Sequence, residues 1–117
     1  MTKFDNYAKE IRSKEIGGSI QKWYRWRIFV NDEDSILDGI EYIEYHLDPS
    51  MPQSYRIVAE RNTNFALDFN SWGSFVMGIT IRFENGKEEK LNYKLNIDNP
   101  FPEGEVNPRG RIPIAGH

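Results

Sequence analysis

The 117-residue chain contains no cysteine. This absence excludes disulfides, thiolate zinc sites, iron–sulfur ligation and cysteine nucleophiles. No apolar run approaches the roughly 20 residues that a membrane helix needs. The start of the chain, MTKFDNYAKEIRSK, also lacks the apolar middle region of a signal peptide. We therefore expect a cytoplasmic protein that makes no membrane contact.

Positive charge is not in excess either. The chain has 15 Lys and Arg against 18 Asp and Glu, which gives a formal net charge of -3. Such a balance provides no general attraction to a phosphate backbone, so nucleic acid is not expected as a partner. The glycine-rich loops that cradle phosphates in P-loop and dinucleotide-binding proteins are absent as well.

Catalytic groups are sparse. His46 is the only internal histidine, and Glu44 and Asp48 are its neighbours at the period of a strand, so the three side chains share one face. Such a row has the chemistry of a metal site or a general base. It is equally typical of an exposed strand face, and no further histidine completes a site. We predict a non-enzymatic protein without a metal or another cofactor.

The first residues show helical spacing. Phe4, Tyr7, Ala8 and Ile11 follow the i, i+3, i+4, i+7 pattern, and Gly17-Gly18 supplies a stop. The pattern predicts a short N-terminal helix within an extension of residues 1–18. A helix of this length is marginal in water, so its apolar stripe must dock on the rest of the protein or on a partner.

From residue 23 the apolar period changes to two, which is typical of half-buried strands. Asn85-Gly86 suits a type I′ hairpin, because both central residues of that turn need positive φ. Turn signals about every 8 to 12 residues separate the apolar segments. We therefore predict an all-β fold, an immunoglobulin-like antiparallel β-sandwich over residues 19–98. The expected strands cover residues 23–30, 40–47, 55–60, 65–69, 75–83 and 91–97.

Residues 99–117 are rich in proline and glycine, which predicts an extended C-terminal tail without regular structure.

Residues 28–55 form an acidic segment, since they carry seven acids and no Lys or Arg. Beside a binding loop, such a segment would steer a basic peptide toward it. A solvated strand face explains the same pattern.

Two predicted loops contain apolar side chains where loops are usually polar. Met51 lies between two prolines in the loop 48–52, and Trp72 lies in the loop 70–74. At one end of a sandwich, the two loops would form a narrow slot for a flat or cationic group. Alternatively, Met51 and Trp72 plug the open end of the sandwich.

Four segments, in this order, resemble the YEATS domain family and especially its prokaryotic branch. They read YRWRIFV from Tyr24, IEYIEYHLDPSMP from Ile40, FAL from Phe65 and SWGSF from Ser71. The resemblance covers about residues 22–97. It implies an immunoglobulin-like sandwich, in agreement with the alternation. It also implies an end-loop aromatic slot, in which eukaryotic members bind acylated lysine of histone tails.

The resemblance assigns roles residue by residue. Ser50 matches the serine that hydrogen-bonds the acylamide, Trp72 matches the aromatic wall of the second loop, and Phe75 matches the aromatic that follows. The backbone near Trp72 and Gly73 matches the amide donor to the acyl carbonyl. The implied ligand-binding residues are Asp48, Ser50, Met51, Ser71, Trp72, Gly73 and Phe75.

Two positions depart from the family pattern. Met51 replaces an aromatic residue, so one wall of the slot is a flexible thioether that cannot π-stack. Asp48 replaces a histidine and would favour a cation. We therefore expect a module that binds a protein or peptide partner through a modified lysine, with acyl-lysine first. Methylated or unmodified lysine is a competing ligand. The other alternative is a scaffold domain of a prokaryotic signalling or defence system that binds no acyl-lysine.

Overall fold

A computed structural model describes residues 1–102 of the chain. It contains seven strands, one short helix and one 3₁₀ turn at Arg61–Thr63. These elements are β1 (Phe4–Ile16), β2 (Ser19–Val30), α1 (Asp34–Asp38), β3 (Ile40–His46), β4 (Tyr55–Val58), β5 (Leu67–Trp72), β6 (Val76–Phe83) and β7 (Glu88–Lys94). One antiparallel sheet has the order β1-β2-β5, and the other has the order β4-β3-β6-β7. The predicted immunoglobulin-like sandwich is confirmed.

The core lies between the two sheets and follows the predicted alternation. Trp26 and Ile28 of β2 pack with Ile43 of β3 and Ile79 of β6, and all four side chains are buried. Tyr45 is buried with them, and its hydroxyl donates to the carbonyl oxygen of Phe65 at 2.7 Å. Burial raises the pKa of Tyr45 well above its usual value. The packed core fixes the strand ends from which the loops of the site emerge.

The predicted N-terminal helix is wrong, because residues 4–16 form β1 and pair with β2. Phe4 and Ala8 face the core between the sheets, while Tyr7 lies on the other side of the strand against Phe29 and Phe101. When both faces of a strand carry apolar residues, the strict alternation of apolar and polar residues is lost. Here the resulting spacing resembles that of a helix. The segment is part of the sandwich, so it offers no helix for a partner.

Beyond Ala8 the paired β1 and β2 continue as a hairpin, here called the arm (residues 9–23). Its turn is Gly17-Gly18, and both glycines have positive φ, at 58° and 84°. This geometry is that of a type I′ turn, which matches the twist of paired strands. Residues 10–20 of the arm are exposed.

The residues after β7 return to the first sheet. The backbone N–H of Ala8 donates to the carbonyl oxygen of Asn99 at 2.8 Å, and Pro100 forms a parallel bridge with Ala8. The ring of Phe101 lies 4.7 Å from the Arg25 guanidinium and 5.6 Å from that of Arg27. The start of the predicted tail therefore lies against the sheet, and the rest of that prediction falls outside the described residues.

The turn at Asn85-Gly86 differs from the predicted type I′ hairpin. Only Gly86 has positive φ, at 88°. The backbone N–H of Phe83 donates to the carbonyl oxygen of Lys87 at 2.9 Å, so three residues form the loop. The Asn85 side chain accepts a bond from the Lys87 N–H, which stabilises this wider turn.

No helix within residues 1–102 has the length and apolar character required to cross a bilayer.

Candidate functional site

The first loop of the site follows the end of β3. The carboxylate oxygen Oδ1 of Asp48 accepts bonds from the Ser50 backbone N–H at 2.9 Å and from the Ser50 hydroxyl at 2.8 Å. These two bonds lower the pKa of the exposed Asp48 carboxyl below its usual value, the backbone bond contributing most. A further bond runs from the Met51 N–H to the Asp48 carbonyl oxygen at 2.9 Å. Asp48 therefore shapes the loop and remains a carboxylate.

Met51 is half-buried and packs against the core from this loop. Its position leaves part of the side chain on the surface of a pocket that Trp72 also borders. An unbranched thioether adapts its shape to what it touches. Met51 thus forms a wall of the site that is held by the core and can still adapt its shape to a ligand.

The second wall comes from the end of β5. The sequence predicts a loop over residues 70–74, but a loop does not form this wall. The backbone N–H of Gly73 donates to the Lys22 carbonyl oxygen at 3.0 Å, and Trp72 lies opposite Trp23 in the register. Hydrogen-bonded and non-hydrogen-bonded pairs alternate along an antiparallel ladder. The backbone N–H of Trp72 therefore points away from β2, toward the free edge of the β1-β2-β5 sheet. Gly73, with φ of 64°, then ends the strand.

Trp23 also belongs to the site, although it is not among the residues predicted from the sequence. Its indole lies 4.8 Å from that of Trp72 at an interplanar angle of 62°, an edge-to-face contact. Trp72 is 40% exposed, so part of its surface is accessible to a ligand. Alternation placed Trp23 on the outer face of β2. The missing information was that β5 is the neighbour of β2, which brings the two indoles together.

Ser71 and Phe75 support the second wall from the inside. The Ser71 hydroxyl accepts a bond from the Trp26 indole N–H at 2.8 Å and donates to the Gly73 carbonyl oxygen at 3.2 Å. Its donor is thus already used within the protein. Phe75 packs against Phe69 with ring centroids 6.0 Å apart. These contacts hold the Trp72 turn in place.

The two walls enclose one pocket of about 350 Å³. It brings together six of the seven predicted site residues: Asp48, Ser50, Met51, Ser71, Trp72 and Phe75. Gly73 is not part of the lining and acts through the turn that it forms. The pocket adds four residues that were not predicted: Trp23, Pro52, Asn70 and Ser74. Met51 and Trp72 therefore border a space and do not plug this end of the sandwich.

The predicted histidine row does not converge on the pocket. His46 Nε2 lies 3.7 Å from a Glu44 carboxylate oxygen, and its ring lies 5.2 Å from that of Tyr55. Asp48 lines the pocket, whereas His46 and Glu44 do not. Within residues 1–102, no three His, Asp or Glu side chains form a group able to hold a metal ion.

Most of the acidic segment lies away from the pocket. Asp34 and Asp38 belong to α1, before β3 begins, and they pair with Arg61 at 3.2 Å and 2.9 Å. The loop of the site follows β3, about 20 Å further along a seven-residue strand. Of the seven acids, only Asp48 lines the pocket. The steering of a basic peptide by this segment stays a prediction.

The fold and the site together define an immunoglobulin-like sandwich with a ligand-sized pocket between the loop after β3 and the end of β5. Residues 24–96, more than half of the chain, match the family model described as the prokaryotic YEATS domain, and the chain belongs to that family.

Solved structures support the same fold. The yeast AF-9 homolog protein Yaf9 is 22% identical, with a TM-score of 0.61, over 83% of this chain and 72% of that one. Its YEATS domain recognising an H3K122suc peptide is 22% identical, with a TM-score of 0.62, over 84% and 75%. The same domain bound to H3K27ac is 22% identical, with a TM-score of 0.62, over 86% and 75%. No curated protein matches the chain.

Proposed function

We propose that this protein is a non-enzymatic peptide-binding module that receives a modified lysine, acyl-lysine in the first place, between Met51 and Trp72. The observation that carries the proposal is that these two side chains, from separate elements, border one pocket of about 350 Å³. This volume is at the lower end of ligand pockets, which suits one long side chain more than a large molecule.

The polar groups of the pocket complement an amide. The Ser50 hydroxyl uses its hydrogen on Asp48, so the lone pairs of its oxygen are free to accept the N–H of an acylated lysine. The Trp72 N–H points to the free sheet edge and is placed to donate to the acyl carbonyl. An amide that gains both bonds loses little on leaving water, whereas an unpaired one costs about 1 to 3 kcal/mol.

The comparisons support a peptide ligand. The titles of the Yaf9 structures name acetylated and succinylated histone H3 peptides as the ligands of that domain. At 22% identity, the likeness extends to the fold alone. For this chain, the proposal of an acyl-lysine ligand therefore rests on the geometry of its own pocket.

One observation favours a second candidate, methylated or unmodified lysine. Asp48 lines the pocket, and only its Oδ1 atom is used by Ser50. A carboxylate beside an exposed indole attracts a cation, and the cation–π contribution of Trp72 is about 0.5 to 2 kcal/mol. The two candidates differ in the charge of the lysine nitrogen, so one titration separates them.

The test uses three peptides that are identical except for one central lysine, which is acetylated, trimethylated or unmodified. We expect the acetylated peptide to bind most tightly by isothermal titration calorimetry. Trp72→Ala should weaken it by at least about 10-fold, because a central aromatic contact is lost. Ile57→Ala is the matched control, since Ile57 is exposed on the other sheet and outside the pocket. Equal binding of all three peptides, or unchanged binding to Trp72→Ala, would refute the proposal.

A further inference from the structure

Arg12 of the arm lies on both indoles of the site. Its guanidinium carbon is 5.4 Å from the centroid of the Trp23 ring and 5.7 Å from that of Trp72. Both indoles line the pocket. A cation held over two aromatic rings gains from each of them. The arm therefore places a positive charge beside the aromatic wall.

A local irregularity of β1 creates this position. Glu10 pairs with Tyr24, yet the next pair on β2 is Arg12 with Trp23, so Ile11 is an extra residue without a partner. Without this bulge, Ile11 would lie opposite Trp23. Bulges re-aim side chains and occur often near functional sites. Here the bulge replaces an aliphatic side chain on the indoles with a guanidinium.

The charge of Arg12 is not neutralised, although neighbouring charges are. Glu10 pairs with Lys22 at 3.7 Å, and Asp68 pairs with Arg25 at 3.7 Å and with Arg27 at 2.7 Å. No carboxylate within residues 1–102 forms an ion pair with Arg12. Glu10 and Asp68 are thus used by other cations, and Asp48 of the pocket forms no ion pair with Arg12.

The chemistry of the guanidinium indicates which kind of group would pair with Arg12. The guanidinium interacts with the two indoles through its positive charge, whereas its N–H groups donate hydrogen bonds in the plane of the group. These N–H groups form a fork that matches the two oxygens of a carboxylate. An arginine that lies over two indoles of the pocket and has no ion-pair partner is therefore available to bind an anionic group of the ligand.

We propose that Arg12 is a specificity-determining residue that binds a carboxylate carried close to the modified lysine. The inference rests on the proposed function, since it concerns the ligand of the same pocket. The carboxylate has two sources, either an acyl group that ends in a carboxylate or an Asp or Glu next to the lysine. Both would present the same pair of oxygens to Arg12.

The experiment compares three peptides by calorimetry at fixed ionic strength. The first carries acetyl-lysine with neutral neighbours, the second carries acetyl-lysine next to glutamate, and the third carries succinyl-lysine with neutral neighbours. We expect the second, the third or both to bind about 5- to 10-fold more tightly than the first, which corresponds to one charge-assisted contact. The peptide that gains affinity identifies the source of the carboxylate.

Variants assign the gain to Arg12. In Arg12→Gln, the peptides that carry a carboxylate should bind no more tightly than the neutral acetyl-lysine peptide does to the same variant, while Arg12→Lys should retain only part of the gain. Lys90→Gln on β7 is the control, because it makes the same change in net charge at an exposed position outside the pocket. Arg12 is exposed, so Arg12→Gln should keep the melting temperature of the parent.

The outcomes separate the two proposals. If the neutral peptide binds and neither carboxylate tightens it, or if the gain survives Arg12→Gln, the role of Arg12 is refuted and the pocket stands. If none of the three peptides binds, the proposed function fails and this inference fails with it.

Discussion

At the scale of single residues, Asp48 has two separable roles. Its Oδ1 atom accepts both bonds from Ser50 and so shapes the first loop of the pocket. Its negative charge faces the pocket but contributes nothing that a neutral acylamide requires. The pKa of this carboxyl is lowered, so the charge persists across roughly pH 5 to 8. The ligand class therefore decides which role matters for binding.

Asp48→Asn separates these roles, because the amide oxygen still accepts from Ser50 while the charge is lost. We expect the Kd of an acetyl-lysine peptide to change by less than about 3-fold, since no charged contact is removed. Trimethyl-lysine and unmodified lysine peptides should lose whatever affinity they show. The measurement is calorimetry with the three peptides against both proteins. A loss confined to the acetylated peptide would contradict this assignment.

At the scale of elements, β1 joins the two sheets through a buried asparagine. Asn6 is fully buried, its Oδ1 accepts from the Tyr93 hydroxyl at 2.7 Å and from the Asn96 N–H at 3.0 Å, and its Nδ2 donates to the Asn96 carbonyl oxygen at 3.0 Å. Burial, followed by the charge of Asp5, raises the pKa of Tyr93 well above its usual value. The network ties the first strand to the end of the last one.

Asn6→Ala should lower the free energy of unfolding by about 2 kcal/mol, because it leaves the Tyr93 hydroxyl and the Asn96 backbone without a partner inside the protein. Urea unfolding followed by tryptophan fluorescence measures the change. Asn92→Ala on the exposed side of β7 is the control and should fall within about 0.5 kcal/mol of the parent. An effect of Asn6→Ala no larger than that of the control would show that the network does not stabilise the fold.

Alternation in the sequence predicts the strands that bury one face. It does not identify β1, which buries residues on both faces. Strict alternation from Phe75 to Phe83 identified β6 to within one residue at its start. Tyr7 and Ala8 are both buried on opposite faces of β1, since Phe101 returns from the far end of the chain to cover the outer face. A contact between residues so distant in sequence leaves no local periodic signal. Helical spacing was the only pattern visible there.

The same distinction holds for the site. Met51 and Trp72 were selected because apolar side chains are unusual in polar segments, and the structure places both on one pocket. Trp23 occupies an ordinary strand position in the sequence, and Arg12 lies in the segment predicted to be helical. Their relation to Trp72 depends on the pairing of β2 with β5 and on the bulge of β1. Both features are properties of the assembled sheet.

At the scale of the whole molecule, the two ends of the sandwich differ in chemistry. One end carries α1 and its acids, which pair with Arg61. The other end carries the pocket, with the indoles of Trp23 and Trp72 and the cationic arm beside it. The second end offers a ligand both an apolar slot and amide partners.

Intermolecular nuclear Overhauser effects test the central claim most directly. The experiment uses labelled protein with a saturating amount of unlabelled acetyl-lysine peptide. The account predicts contacts from the lysine methylenes and the acetyl methyl to the Met51 methyl group and to the Trp72 indole protons. Residues of α1 should show none. Contacts that place the modified lysine elsewhere on the protein, or a peptide that shows no binding at all, would contradict it.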